Sequence, residues 1–166
     1  MAISELDLPT GVVVHSSANP QRQAELMADN VAKALAYAVQ THGVASLVVS
    51  GGRSPIAFFE ALSIRELNWS KVQISLADER WVPATNPASN EGLVRRHLLQ
   101  NAAREAWLIG LYHPAEFLEQ AASLADHALA QLQRPIDVLI LGMGDDGHTA
   151  SLFPGNPKLA HALRDD

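Results

Sequence analysis

The sequence contains no cysteine, which excludes a disulfide framework, a thiolate metal site and a thiol nucleophile. Basic residues are also few: 12 Lys and Arg stand against 18 Asp and Glu, and the net charge of -6 argues against binding to nucleic acid or an anionic membrane surface. No apolar run approaches the roughly 20 residues that span a bilayer, and residues 1–9 lack the pattern of a secretory signal. We therefore expect a soluble, cytoplasmic protein, in which local basic residues can still hold a small anion.

Apolar strand-like runs alternate with helical patterns along the 166 residues, a length that suits one domain, 1–166, with a full core. The predicted strands are residues 11–15, 44–49, 72–77, 107–111 and 136–141. Ser54 and Pro55 predict the start of the second helix, and Pro114 predicts the start of the fourth. This alternation predicts an α/β fold: an open, mostly parallel, Rossmann-like sheet with helices on both faces, in three layers.

Three unusual loops directly follow predicted strands: residues 50–54, 78–80 and 142–148. In an open parallel sheet the carboxyl ends of all strands lie on one edge, and ligands bind in the crevice there. The fold prediction alone therefore brings the three loops together.

The first loop leads into a predicted helix and suits an anion such as phosphate. Unpaired N–H groups at a helix N-terminus favour negative charge, and two glycines let the backbone approach it closely. The candidate phosphate-binding residues are Ser50, Gly51, Gly52, Arg53 and Ser54. An ordinary capped strand-to-helix turn has the same pattern, so both interpretations stay open. No Gly-Lys-Ser/Thr follows, so this is not a Walker A loop.

The second loop, Asp78-Glu79-Arg80, places charges at the mouth of the expected crevice. Arg80 can clamp a phosphate through two N–H groups, and Asp78 can accept hydrogen bonds from sugar hydroxyls. Both are candidate substrate-binding residues, with a solvated charge cluster as the alternative. For Glu79 the solvated cluster is the better explanation.

The third loop matches the spacing G-x-G-x-x-G, but carboxylates occupy the positions that a pyrophosphate would approach, so we reject a dinucleotide site. Asp146 and His148 are better explained as a catalytic pair, because a neutral imidazole is the natural base near pH 7 and a carboxylate fixes its tautomer. The alternative is a loop histidine bonded to a backbone carbonyl. No HExxH motif, histidine cluster or G-x-S-x-G motif is present, so we expect no metal, no cofactor and a structural role for Ser151.

Four stretches resemble the 6-phosphogluconolactonase family, in order, within a similarity that runs from about Val12 to the end of the chain. They are SGGRSP at 50–55, LADERWVP at 76–83, SNEGLVR at 89–95 and GMGDDGHTASLFPG at 142–155. The resemblance implies hydrolysis of 6-phospho-D-glucono-1,5-lactone to 6-phosphogluconate, a step of the pentose phosphate pathway, without metal. By position it implies that His148 is the general base that activates water and that Asp146 is its partner. It also implies that the glycine loop and Arg80 hold the phosphate.

Two alternatives stay open beside the lactonase. Glucosamine-6-phosphate deaminases and isomerases share the fold, and they resemble this chain at Asp78 and at the Asp-Gly-His core. They carry a glutamate soon after the histidine, however, where this chain has Leu152-Phe153-Pro154. A non-catalytic sugar-phosphate-binding module is the second alternative. Because the family continues beyond residue 166 with further strands, helices and basic residues, we expect the domain to be C-terminally incomplete.

Overall fold

The computed structural model describes residues 9–164; residues 1–8, where no secretory signal is predicted, lie outside the described part. The helices are α1 Pro20–His42, α2 Ile56–Ser63, α3 Asn90–His97, α4 Leu118–Leu129 and α5 Leu159–Ala162, with 3-10 turns at Trp69–Lys71 and Asn101–Glu105. The strands are β1 Ala45–Val49, β2 Val72–Leu76, β3 Trp107–Leu108 and β4 Val138–Ile140. No helix within residues 9–164 is long and apolar enough to cross a membrane.

The strands form one parallel sheet in the order β3-β2-β1-β4. The chain moves from β1 to β2 to β3 in one direction and then returns to place β4 on the other side of β1. This reversal makes the carboxyl ends of β1 and β4 the topological switch point, where open α/β sheets bind their ligands. The predicted α/β class with a parallel sheet is confirmed.

Helices pack on both faces of the sheet. Successive side chains of a strand point to opposite sides, so each strand contributes side chains to both of these faces. Leu47 and Val49 of β1 belong to a large apolar cluster with α1 and α2, in which Phe59 is also fully buried. Val48 points the other way and packs with Leu132 against the end of α4. Burial of each such side chain contributes about 1.5–3 kcal/mol, so both faces hold β1 firmly beneath the loop that follows it.

Asp137 fastens β4 to β1 at the amino end of the pair. Its carboxylate accepts hydrogen bonds from the Ser46 N–H at 2.7 Å and from the Ser46 hydroxyl at 3.0 Å. The Ser46 Oγ in turn accepts a hydrogen bond from the Asp137 N–H at 2.9 Å. These bonds satisfy the polar groups of the fully buried Ser46 and align β4 with β1, which also aligns the loops that follow them.

The predicted strand at residues 11–15 is wrong: these residues form no strand, and Val12, Val13 and Val14 are exposed. An apolar, β-branched run has the propensity for a strand, but a strand also needs a neighbour to pair its N–H and C=O groups. In the described part of the chain the sheet pairs only β1 to β4, and the segment contacts neither edge of it through a ladder.

Two predicted helix starts also differ from the structure. Helix α2 begins at Ile56 with Pro55 at the cap, so Ser54 does not cap it. Helix α4 begins at Leu118 instead of Pro114, and Phe117 at its cap is exposed. A proline is compatible with a first helical turn but offers no capping acceptor, so it does not fix where the helix starts.

Candidate active site

The three loops surround a cavity of about 540 Å³ at the switch point, between the carboxyl ends of β1 and β4. This volume is in the range of small-molecule sites. The predicted site residues that line it are Ser50, Gly51, Gly52, Ser54, Asp78, Arg80 and His148. The N-terminal part of α1 and the start of α2 supply an apolar wall that includes Met27 and Phe58.

His148 lines this cavity and is in direct contact with Asp146, which lies behind it and does not line the cavity. The His148 Nδ1 lies 2.5 Å from the Asp146 Oδ1, and the His148 N–H donates to the same oxygen at 3.2 Å. Hydrogen bonding from the His148 side chain holds the pKa of Asp146 below its usual value of 3.8. An ionised carboxylate only accepts, so Nδ1 donates in this contact, and in the neutral form of the ring Nε2 keeps its lone pair.

The glycines of the third loop shape the turn that carries this pair. The Gly144 N–H donates to the His148 carbonyl at 2.8 Å, and the Gly147 N–H donates to the Gly144 carbonyl at 2.9 Å. Gly147 has a φ of 81°, which favours glycine. A Cβ added to Gly144 would overlap the His148 ring, which itself stacks on Phe153 with 4.6 Å between the ring centroids. The glycines therefore serve the histidine and not a nucleotide.

Ser50 of the glycine loop after β1 lines the cavity and has an unpaired hydroxyl. The Ser50 Oγ is buried and has no hydrogen-bond partner among the described residues, whereas the Ser50 N–H donates to the Ile140 carbonyl at 3.0 Å. A buried hydroxyl without a partner costs about 1–3 kcal/mol, so a ligand oxygen that bonded it would remove that cost. Gly52, which precedes α2, has a φ of 94°, a value that favours glycine.

Asp78 lines the cavity and joins the second loop to Ser151, which follows the third loop. Its Oδ2 accepts a hydrogen bond from the Ser151 hydroxyl at 2.9 Å, and its Oδ1 accepts one from the Asn90 Nδ2 at 3.2 Å. Each carboxylate oxygen keeps a further lone pair, so Asp78 can still accept from a sugar hydroxyl.

Glu79 is not the solvated charge that the sequence suggests. Its half-buried carboxylate accepts hydrogen bonds from the N–H groups of Arg80 at 2.6 Å, Asn90 at 2.9 Å and Glu91 at 2.9 Å, and from the Ser89 hydroxyl at 3.0 Å. It therefore caps the N-terminus of α3, where a negative charge is favourable. Sequence reasoning missed this role because the capping carboxylate precedes the helix by ten residues or more.

The two candidate arginines lie in different places. Arg80 lines the main cavity and donates from Nη1 to the Ala88 carbonyl at 3.0 Å. Arg53 does not line the main cavity; it borders a neighbouring cavity of about 170 Å³ together with Arg80 and Gly52. Within residues 9–164 neither guanidinium is paired with a carboxylate. In the same part of the chain, no group of three or more His, Asp or Glu residues is arranged to hold a metal ion.

Residues 18–165 match the family model described as glucosamine-6-phosphate isomerases/6-phosphogluconolactonase. The chain is 59% identical over 163 residues to a 6-phosphogluconolactonase of Pseudomonas aeruginosa, a match that covers 98% of the chain and 68% of the relative. It is 54% identical to a 6-phosphogluconolactonase of Pseudomonas putida, covering 98% of the chain and 67% of the relative.

Solved structures of related proteins have the same fold as this chain. A 6-phosphogluconolactonase from Shewanella baltica superposes with a TM-score of 0.90 at 45% identity, over 95% of this chain and 67% of that one. A monomeric glucosamine-6-phosphate deaminase superposes with a TM-score of 0.71 at 17% identity, over 87% of this chain and 61% of that one, which shows a shared fold alone. The chain thus spans about two thirds of the length of these three 6-phosphogluconolactonases.

Proposed function

This chain belongs to the family of glucosamine-6-phosphate isomerases and 6-phosphogluconolactonases, and we propose that it hydrolyses 6-phospho-D-glucono-1,5-lactone to 6-phosphogluconate with His148 as the general base. The observation that carries the proposal is the contact between the His148 Nδ1 and the Asp146 carboxylate at the edge of the cavity. The similarity to proteins named as 6-phosphogluconolactonases supplies the substrate.

The chemistry needs only a positioned base. Water attacks the lactone carbonyl carbon while Nε2 of His148 takes its proton, and a tetrahedral intermediate forms. The intermediate collapses as the bond between that carbon and the ring oxygen breaks, and the imidazolium returns a proton to the departing oxygen. Asp146 stabilises the imidazolium between the two steps. General-base help of this kind contributes about 10²–10⁴ in rate, which suits an activated ester such as a lactone.

The phosphate of the substrate provides orientation, because it lies away from the reacting carbonyl. We place it against the glycine loop, where the Ser50 hydroxyl lacks a partner, with Arg80 beside that loop. Asp78 is then positioned to accept from a sugar hydroxyl. Neither a covalent intermediate nor a cofactor is part of this proposal.

The environment of His148 disfavours the deaminase alternative. Phe153 stacks on the imidazole with an interplanar angle of 25°, in the segment where the deaminases carry a glutamate. An apolar ring in this position does not supply the acid that opening of the sugar ring requires. A cytoplasmic location stays a prediction of the sequence.

Turnover of three compounds by the 166-residue chain tests the proposal. We expect acid release from the phosphorylated lactone above the spontaneous rate, and slower turnover of unphosphorylated glucono-1,5-lactone. Ammonia release from glucosamine 6-phosphate would instead support the deaminase. Binding of 6-phosphogluconate without turnover of any compound would support the non-catalytic module.

A further inference from the structure

We propose that Asn90 is a positioning residue, whose carboxamide holds Asp78 in place and thereby connects the glycine loop to the loop that carries His148. The inference rests on the proposed function, which supplies the substrate for the kinetic part of its test. Asn90 does not line the main cavity but borders the smaller one beside it, and its side-chain hydrogen bonds go to Asp78, which does line the main cavity.

The carboxamide of Asn90 is committed to Asp78. Asn90 is only 1% exposed, and its Nδ2 donates to the Asp78 carbonyl at 2.9 Å and to the Asp78 Oδ1 at 3.2 Å. One amide group therefore fixes both the backbone and the side chain of Asp78. A residue whose backbone and carboxylate are both held keeps one orientation towards a substrate, which reduces the entropy lost on binding.

The opposite side of the carboxamide packs against the glycine loop. A Cβ added to Gly51 would overlap the carboxamide of Asn90, so the absence of a side chain at Gly51 is what admits Asn90 here. Asn90 thus fills the space between the end of β2 and the loop that follows β1. The spacing of Asp78 from the glycine loop depends on the shape of this one side chain.

Asp78 in turn holds Ser151, which follows the third loop. Its Oδ2 accepts the Ser151 hydroxyl at 2.9 Å, in a turn closed by a hydrogen bond from the Leu152 N–H to the Thr149 carbonyl at 2.9 Å. Ser151 stands three residues after His148, just beyond the third loop. Hydrogen bonds therefore link Asn90, Asp78 and Ser151, and the packing of Asn90 against Gly51 adds the glycine loop to this group.

Asn90 is itself rigidly held by the N-terminus of α3. Its N–H donates to the Glu79 Oε1 at 2.9 Å, and the neighbouring Ser89 hydroxyl accepts from the Gly92 N–H at 3.0 Å. A side chain anchored through a capped helix end is a firm support for a residue that contacts substrate.

The test compares Asn90→Ala and Asn90→Asp with the matched control Asn68→Ala. Asn90→Asp keeps the shape against Gly51 but removes the Nδ2 donor and places a carboxylate beside Asp78. Asn68→Ala removes the same group from an exposed position before the amino end of β2. For each variant we would measure backbone amide spectra by NMR, the melting temperature, and kcat and KM with the phosphorylated lactone.

Both Asn90 variants are expected to shift the amide signals of Ser151 and its neighbours in the folded protein and to raise KM about 10-fold. The control is expected to do neither. A merely structural role would lower the melting temperature and the active fraction without moving KM or these signals, and that result would overturn the proposal. Wild-type KM and loop signals in Asn90→Asp would overturn it too. A wild-type chain without lactonase activity would instead refute the proposed function, and the amide spectra would still decide the role of Asn90.

Discussion

Replacement of Asp146 by asparagine isolates what its charge does for His148. The wild-type contact of 2.5 Å fixes the proton on Nδ1 and supports positive charge on the ring. In Asp146→Asn the amide can present its own N–H to Nδ1, which places the ring proton on Nε2 and removes the lone pair that would accept a proton from water. The shape of the loop is retained, because asparagine has nearly the same size.

The expected loss in kcat is bounded by the worth of a general base, about 10²–10⁴. Because the side chain of Asp146 is 60% exposed, solvent weakens its charge, and we expect the lower end of that range, about 10²-fold. The assay is initial-rate acid release from the phosphorylated lactone, corrected for spontaneous hydrolysis.

Asp145→Asn is the matched control, since it makes the same chemical change one residue earlier, at an exposed side chain. Its kcat should stay within about 3-fold of wild type, because no ion pair joins this exposed carboxylate to His148 in the described residues and solvent screens its charge. Equal losses in the two variants would show that net charge matters and not the contact with His148. Full activity of Asp146→Asn would refute the catalytic pair.

Three further predictions concern the loop and the sheet beneath it. Gly144→Ala should lower kcat at least about 10-fold in steady-state assays with little change in melting temperature, because its Cβ displaces the imidazole. In His148→Ala the pKa of Asp146 should rise towards 3.8 in an NMR titration, and an unchanged pKa would contradict the hydrogen bond to His148 as its cause. In wild type the lowered pKa means that ionised Asp146 stabilises the loop above about pH 4, and that this stabilisation is lost as the pH falls through the lowered pKa. Asp137→Ala should lower the free energy of unfolding in urea by about 2–3 kcal/mol, since it leaves buried Ser46 groups unpaired. A loss below about 0.5 kcal/mol would show that Asp137 does not fasten β4 to β1.

The strands of the sheet could be predicted from the sequence where burial alone determines that a segment forms a strand. Residues 45–49 are buried at every position, and a run of that kind has few other structures open to it. Residues 11–15 show the limit, since the same composition remains unpaired where no neighbouring strand is available. Propensity is a property of the segment, whereas pairing is a property of the fold.

The contacts of the site also divide into local ones, which the sequence predicts, and distant ones, which depend on the fold. The contact between Asp146 and His148 is local, two residues apart, so the spacing sufficed to predict it. The convergence of the three loops followed from the shared edge of a parallel sheet. The support given by Asn90 to Asp78 and the capping by Glu79 join residues about a dozen positions apart. Such contacts depend on where α3 packs, which periodicity does not specify.

The most direct test of the account compares hydrolysis of 6-phospho-D-glucono-1,5-lactone by the wild-type chain and by His148→Ala. We predict turnover above the spontaneous rate for the wild type and a fall of about 10² or more in kcat for the variant, with binding of 6-phosphogluconate retained. Equal rates in the two proteins would contradict the assignment of His148 as the base.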